Sequence, residues 1–104
     1  MTVTLINVFE VPPEQLDDFV AGWRQRAAIM AGKPGFQDTR LHRAVSADAR
    51  FTLVNVAHWD SEEALAAAQA SPEFRQNVPA AARAAANPAV YTVVAEFTRD
   101  TPNV

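Results

Sequence analysis

The chain contains no cysteine, which excludes disulfides, a thiolate metal site and a cysteine nucleophile. Glycine is scarce too, with three in 104 residues, so there is no Gly-rich loop to cradle phosphates and no nucleotide cofactor is expected. Basic residues do not predominate. Lys and Arg number 9 against 12 Asp and Glu, a net charge of −3, and the pI is near 5.2, which argues against a nucleic acid or an anionic membrane as partner. No apolar run approaches the roughly 20 residues that span a bilayer. The first residues lack the basic leader and cleavage site of a signal peptide, so the expected location is the cytoplasm. The only histidines, His42 and His58, have no matched carboxylate spacing, and no metal site is expected.

What remains is an ordinary globular composition, 49% hydrophobic and 20% charged. Its length suits one domain over residues 1–104, with its core in 2–98. Residues 2–11 alternate as a first strand, with Val3, Leu5, Asn7 and Phe9 on one face and Thr4, Ile6 and Val8 on the other. Pro12-Pro13 ends it and opens a helix. There Leu16, Phe19, Val20, Trp23, Ala27 and Met30 form one apolar stripe. Acids early (Glu14, Asp17, Asp18) and bases late (Arg24, Arg26) suit the helix dipole. A loop at Gly32–Gly35, a strand at 36–45, a polar turn at Ser46–Ala49 and a strand at 51–59 read as an antiparallel hairpin. Asp60 with Glu63 has the form of a capping box. The alanine-rich segment 61–86, interrupted at Pro72 and Pro79, reads as two or three short helices. Asn87-Pro88 closes the region, Ala89–Thr98 reads as a fourth strand, and the polar tail Asp100–Val104 is expected to fray.

The most informative stretch is Leu53-Val-Asn-Val-Ala-His-Trp59. It is a strand apolar on both faces, with an amide in its middle. Asparagine is depleted from strands, and a buried amide costs a few kcal/mol unless it finds partners. Asn55 and Trp59, four apart, share a face. Together they either hold a small aromatic molecule or bond each other and the backbone. His58 has the opposite parity and faces away from them, whereas the unfixed hairpin register leaves His42 open.

The order β-α-β-β-α-β is the ferredoxin-like α+β arrangement, a four-stranded antiparallel sheet with helices on one face. Strands one, three and four are apolar on both faces, and so large an apolar patch is seldom left wet. A second copy packed sheet to sheet is the economical cover, so a homodimer is expected.

This order, with Pro34-Gly35-Phe36 before strand two and Trp59-Asp60-Ser61-Glu62-Glu63-Ala64 after strand three, resembles the antibiotic biosynthesis monooxygenase family over residues 2–98. The resemblance implies a dimeric α+β barrel. The family's quinone-forming members oxidise polyketide anthrones without metal or flavin, and their Asn-x-x-x-Trp on strand three is matched by Asn55 and Trp59. Their tyrosine six residues beyond the tryptophan is Leu65 here. Haem-degrading members are similar at Asn7, but their tryptophan position is Ala68 and their haem-ligating histidine falls near Val78. An iron porphyrin without its axial ligand is poorly held, and haem degradation is the less favoured reading.

A cofactor-free oxygenase helps an electron-rich phenol or anthrone lose a proton, stabilises the anion and lets it meet dioxygen. The resemblance therefore implies Asn55 and Trp59 as the catalytic N–H donors. Asn7 is expected beside Asn55, or bonded to backbone at the strand edge. Phe9, Phe19, Trp23, Leu65 and Phe74 are candidates for the wall around an aromatic substrate, although Phe19 and Trp23 on the helical stripe are core residues first. Tyr91 is the one phenol left in place of the missing tyrosine. The alternative function is a dimeric small-molecule-binding or scaffold module with no catalysis.

Overall fold

The computed structural model describes residues 1–100, so beyond Asp100 the tail lies outside the described residues. Four strands, β1 (Val3–Phe9), β2 (Phe36–Arg43), β3 (Leu53–Trp59) and β4 (Ala86–Tyr91), form one sheet in the order β2-β3-β1-β4. Every neighbouring pair is antiparallel. β1 and β2 both pair with β3, so they run parallel to each other with one strand between them. The helix α1 (Leu16–Ala31) connects them. This is the split βαβ unit of a ferredoxin-like α+β fold.

Alternation puts Val3, Leu5 and Phe9 of β1, and Leu53, Ala57 and Trp59 of β3, under the helices, all buried. In register between them, Asn7 stands opposite Asn55. The core therefore splits in two. Val3, Leu5, Ala57, Trp59, Leu65 and Ala68 pack at one end, and Phe9, Val11, Leu16 and Leu53 at the other. The amide pair occupies the middle of the strands.

Three short helices follow β3: α2 (Glu62–Gln69), α3 (Pro72–Gln76) and α4 (Ala80–Ala85). Pro72 and Pro79 separate them as the sequence indicates, each sitting where its missing N–H is harmless. The cap of α2 is shifted by one residue from the expected box. Ser61 is the N-cap, its Oγ accepting from Ala64 N at 3.1 Å. Asp60 is engaged elsewhere, its Oδ1 accepting from Gln37 Nε2 at 2.8 Å. Gln37 is free to do so because it bulges out of β2 between Phe36 and Asp38.

The fourth strand also departs from expectation, running over Ala86–Tyr91 rather than 89–98. Asn87-Pro88 lies inside it instead of ending it. β4 is an edge strand, where proline is tolerated because one side of its backbone has no partner strand. Asn87 also ties the strand down: its N–H donates to Asn7 Oδ1 at 2.9 Å, and its Nδ2 donates to Val8 O at 3.1 Å.

The opposite face of the sheet carries Thr4, Ile6, Val8, Val54, Val56 and His58, with Asp38, Arg40 and His42 from β2. No helix among the described residues is long and apolar enough to cross a membrane.

Candidate functional site

Between the two halves of the core lies a cavity of about 430 Å³. The sheet forms its floor through Leu5, Asn7, Phe9, Thr39, Asn55, Ala57 and Trp59. Helix α1 gives Trp23, Arg26, Ala27 and Met30, and the region of α3 and α4 gives Phe74, Arg75, Val78, Ala82 and Arg83. The floor is hollow in the middle because two short amides stand where long apolar side chains would otherwise meet the helices.

Asn55 is buried, and its Oδ1 accepts from Thr39 Oγ1 at 2.6 Å. Asn7 Oδ1 is occupied by the Asn87 N–H. In both amides the acceptor end is used by the protein, which turns the donor end to the cavity. Trp59 is 1% exposed and stacks edge-on against Phe36 at 5.3 Å. Neither amide nitrogen nor the Trp59 indole nitrogen donates to any group in the described part of the chain. Yet no buried side-chain nitrogen or oxygen there lacks a partner. These three N–H groups are therefore not sealed in the core, and all three residues line the cavity. Among the described residues no carboxylate, imidazole or phenol lines it.

Of the residues singled out from sequence, Asn7, Phe9, Trp23, Asn55, Trp59 and Phe74 come together around this space. Phe19 and Leu65 do not line it. Phe19 packs edge-on against Phe9 at 4.8 Å and lies under Arg26. Leu65 is 2% exposed in the half-core around Trp59. Sequence reasoning missed Thr39 and the arginines. The position of Arg26, three residues after Trp23 and seven after Phe19, was the available signal, since that spacing puts it on the apolar stripe. Burial lowers the pKa of its guanidinium from the ordinary value.

Both histidines lie on the other face. His58 Nδ1 donates to Asp38 Oδ1 at 2.6 Å, and His42 Nδ1 donates to Val54 O at 3.2 Å. The His58 hydrogen bond holds the Asp38 carboxyl below the usual carboxylate range. Tyr91, paired with Thr4, is half exposed on that face as well. For haem iron the cavity offers no imidazole, thiolate or phenolate, since Val78 stands at the position resembling the family's histidine and Ala68 is buried in the core. No group of three or more metal-ligating side chains exists among the described residues.

Comparison with known proteins places this geometry in context. The family model described as antibiotic biosynthesis monooxygenase matches residues 2–80. No curated protein sequence matches the chain. Among solved structures, a protein of Shewanella loihica PV-4, provisionally assigned as a monooxygenase, is 35% identical, with a TM-score of 0.77 over 91% of this chain and 96% of that one. SnoaB, a cofactor-independent oxygenase of Streptomyces nogalater, is 27% identical with a TM-score of 0.68, over 96% of this chain and 98% of its own. A haem-degrading protein of Mycobacterium tuberculosis, in a haem-free structure, is 28% identical with a TM-score of 0.68, over 94% and 100%.

Proposed function

The chain belongs to the antibiotic biosynthesis monooxygenase family, and from that membership we propose that it is a cofactor-independent monooxygenase acting on an anthrone- or quinol-like aromatic held between sheet and helices. The observation that carries this reading is the polar make-up of the cavity floor. Three N–H donors, from Asn7, Asn55 and Trp59, line a mostly apolar space that also carries Arg26, Arg75 and Arg83 and, among the described residues, no carboxylate. Such donors favour a ligand oxygen that becomes negative. An anthrone that loses a proton from its ring carbon puts the charge on its carbonyl oxygen. Dioxygen then adds at that carbon, and loss of water from the hydroperoxide leaves the quinone. The protein's share is to stabilise the anion; the proton leaves to solvent through the open mouth of the cavity.

The active form is a homodimer closed over the outer face of the sheet. Ile6, Val8, Val54 and Val56 make that face apolar at its centre. The segment after β4 carries Val93, Val94 and Phe97 with 70%, 95% and 72% of their surface exposed. The molecule is also extended, with a radius of gyration of 15.1 Å where a compact chain of about 100 residues has roughly 13 Å. A second copy covers both features, as in a dimeric α+β barrel, and the site is expected to work in the cytoplasm.

Leu65 favours the second reading, a binding module without turnover. It stands where the quinone-forming members are expected to carry a phenol, and it is buried in the core rather than turned to the cavity. Dioxygen uptake with anthrone in metal-free buffer, alongside a calorimetric titration of the same compound, separates the two. The monooxygenase reading expects one dioxygen consumed per quinone formed. Binding without uptake would select the module.

A further inference from the structure

We propose that the ligand of this cavity is an aromatic acid and that Arg26 is the residue that selects it, by receiving a carboxylate at the end of the cavity away from Trp59. The proposal rests on the reading of the cavity as an aromatic-binding site and adds the class of its ligand.

Arg26 is 8% exposed. A buried guanidinium is normally paired, because removing a charge from water is costly without a counter-charge or hydrogen bonds. Among the described residues, however, the Arg26 side chain makes no hydrogen bond and no ion pair. Its guanidinium lies over the face of Phe19, 5.6 Å from the ring centre. Phe19 in turn stacks on Phe9. Among the described residues no sealed side-chain nitrogen lacks a partner, so the Arg26 N–H groups reach open space. The side chain borders both the cavity and a smaller hollow, and its Nη1 lies 3.2 Å from where a Cβ on Gly22 would stand, beside the smaller one. The smaller hollow is also bordered by Asp18, which forms no ion pair with Arg26. A permanently charged fork of donors, largely buried and without a hydrogen-bond partner among the described residues, matches a carboxylate in shape and charge.

The surroundings agree. Among the described residues, the charged ones lining the cavity are Arg26, Arg75 and Arg83, with no acid, in a chain whose net charge is −3. Arg75 and Arg83 are exposed, and neither forms an ion pair among the described residues. They draw an anion toward the mouth, and Arg26 meets it inside. Trp59 is in register with Val3 at one end of β1, whereas Phe9, beneath Phe19 and Arg26, lies at the other end. A carboxylate on Arg26 thereby leaves the far end of the ligand to the N–H donors of Asn55 and Trp59.

The test is a calorimetric titration of the full chain with an anthracene carboxylate and with the neutral carboxamide of the same regiochemistry. The parent protein should prefer the carboxylate by about ten- to a hundredfold, the range of a hydrogen bond to a charged group. Arg26→Gln should abolish the preference while still binding the carboxamide, and Arg26→Lys should restore part of it. In the ligand-free protein, Arg26→Gln should leave the melting temperature unchanged or raise it, because a buried unpaired charge is removed. A melting temperature that falls would assign Arg26 to the structure of the fold and overturn the proposal. So would a preference that survives Arg26→Gln, or equal binding of the two probes, either of which leaves the aromatic cavity standing. Failure of both probes to bind would remove the aromatic-site reading along with this one.

Discussion

At the scale of single residues, function turns on which end of each amide faces the cavity. Asn7 and Asn55 both give their oxygens to the protein, one to β4 and one to Thr39, and this is why the floor offers donors. Removing one donor from a desolvated site costs roughly 3–4 kcal/mol of transition-state stabilisation. Asn55→Ala should lower turnover by about a hundredfold or more, and Trp59→Phe, which keeps most of the ring volume, should also lower it. His58→Ala should leave turnover within a fewfold of the parent; steady-state oxygen uptake ranks the three. His58 has a different part, as the hydrogen-bond donor that lowers the Asp38 pKa. A depressed carboxylate contributes stability that is present above its unfolded value, about 3.9, and lost as pH falls through the lower folded value. In an NMR titration, His58→Gln should move Asp38 back toward the ordinary carboxylate range. The parity that sets Asn55 and Trp59 against His58 was legible from strand alternation alone. Arg26 was not, since a charged residue late in a helix reads by default as a solvated partner of the dipole. Its spacing from Phe19 and Trp23 put it on the apolar stripe, and the stacking of Arg26 on Phe19 confirms it as interior.

At the scale of elements, the order and the helix breaks followed from proline positions and apolar spacing, whereas two boundaries did not. The cap moved from Asp60 to Ser61 because a bulged Gln37 claims the Asp60 carboxylate. β4 begins before Asn87-Pro88 because Asn87 bonds β1 with both backbone and side chain. Neither contact is local in sequence, which is why neither could be read from it. Gly35 shows how closely β2 and α2 meet. It has φ +87°, and a Cβ there would lie 2.5 Å from Ala64 Cβ. A side chain must therefore both enter the left-handed region and displace α2. Gly35→Ala should destabilise the protein by about 1–3 kcal/mol, measured by urea unfolding. The loss should exceed that of Gly32→Ala, where an added Cβ would lie an ordinary 3.6 Å from Ile29 O.

At the scale of the whole molecule, an α+β sheet covered on one face and apolar at the centre of the other should assemble. The expected hydrodynamic mass is twice the 11.3 kDa of the chain. Val56→Glu, on the face away from Asn55, should shift the protein to monomer in sedimentation velocity while leaving the cavity residues untouched. The central claim, however, concerns the cavity: its floor stabilises negative charge on a bound aromatic oxygen. This is tested most directly by the acidity of a bound phenol, without any turnover. A hydroxyanthraquinone whose hydroxyl is remote from its carbonyls changes colour on ionisation, so its pKa can be titrated free and bound. The account expects binding to lower that pKa by about one unit or more, each unit being about 1.4 kcal/mol of preference for the anion, and expects Asn55→Ala to reverse much of the shift. A bound pKa that is unchanged or raised would contradict it.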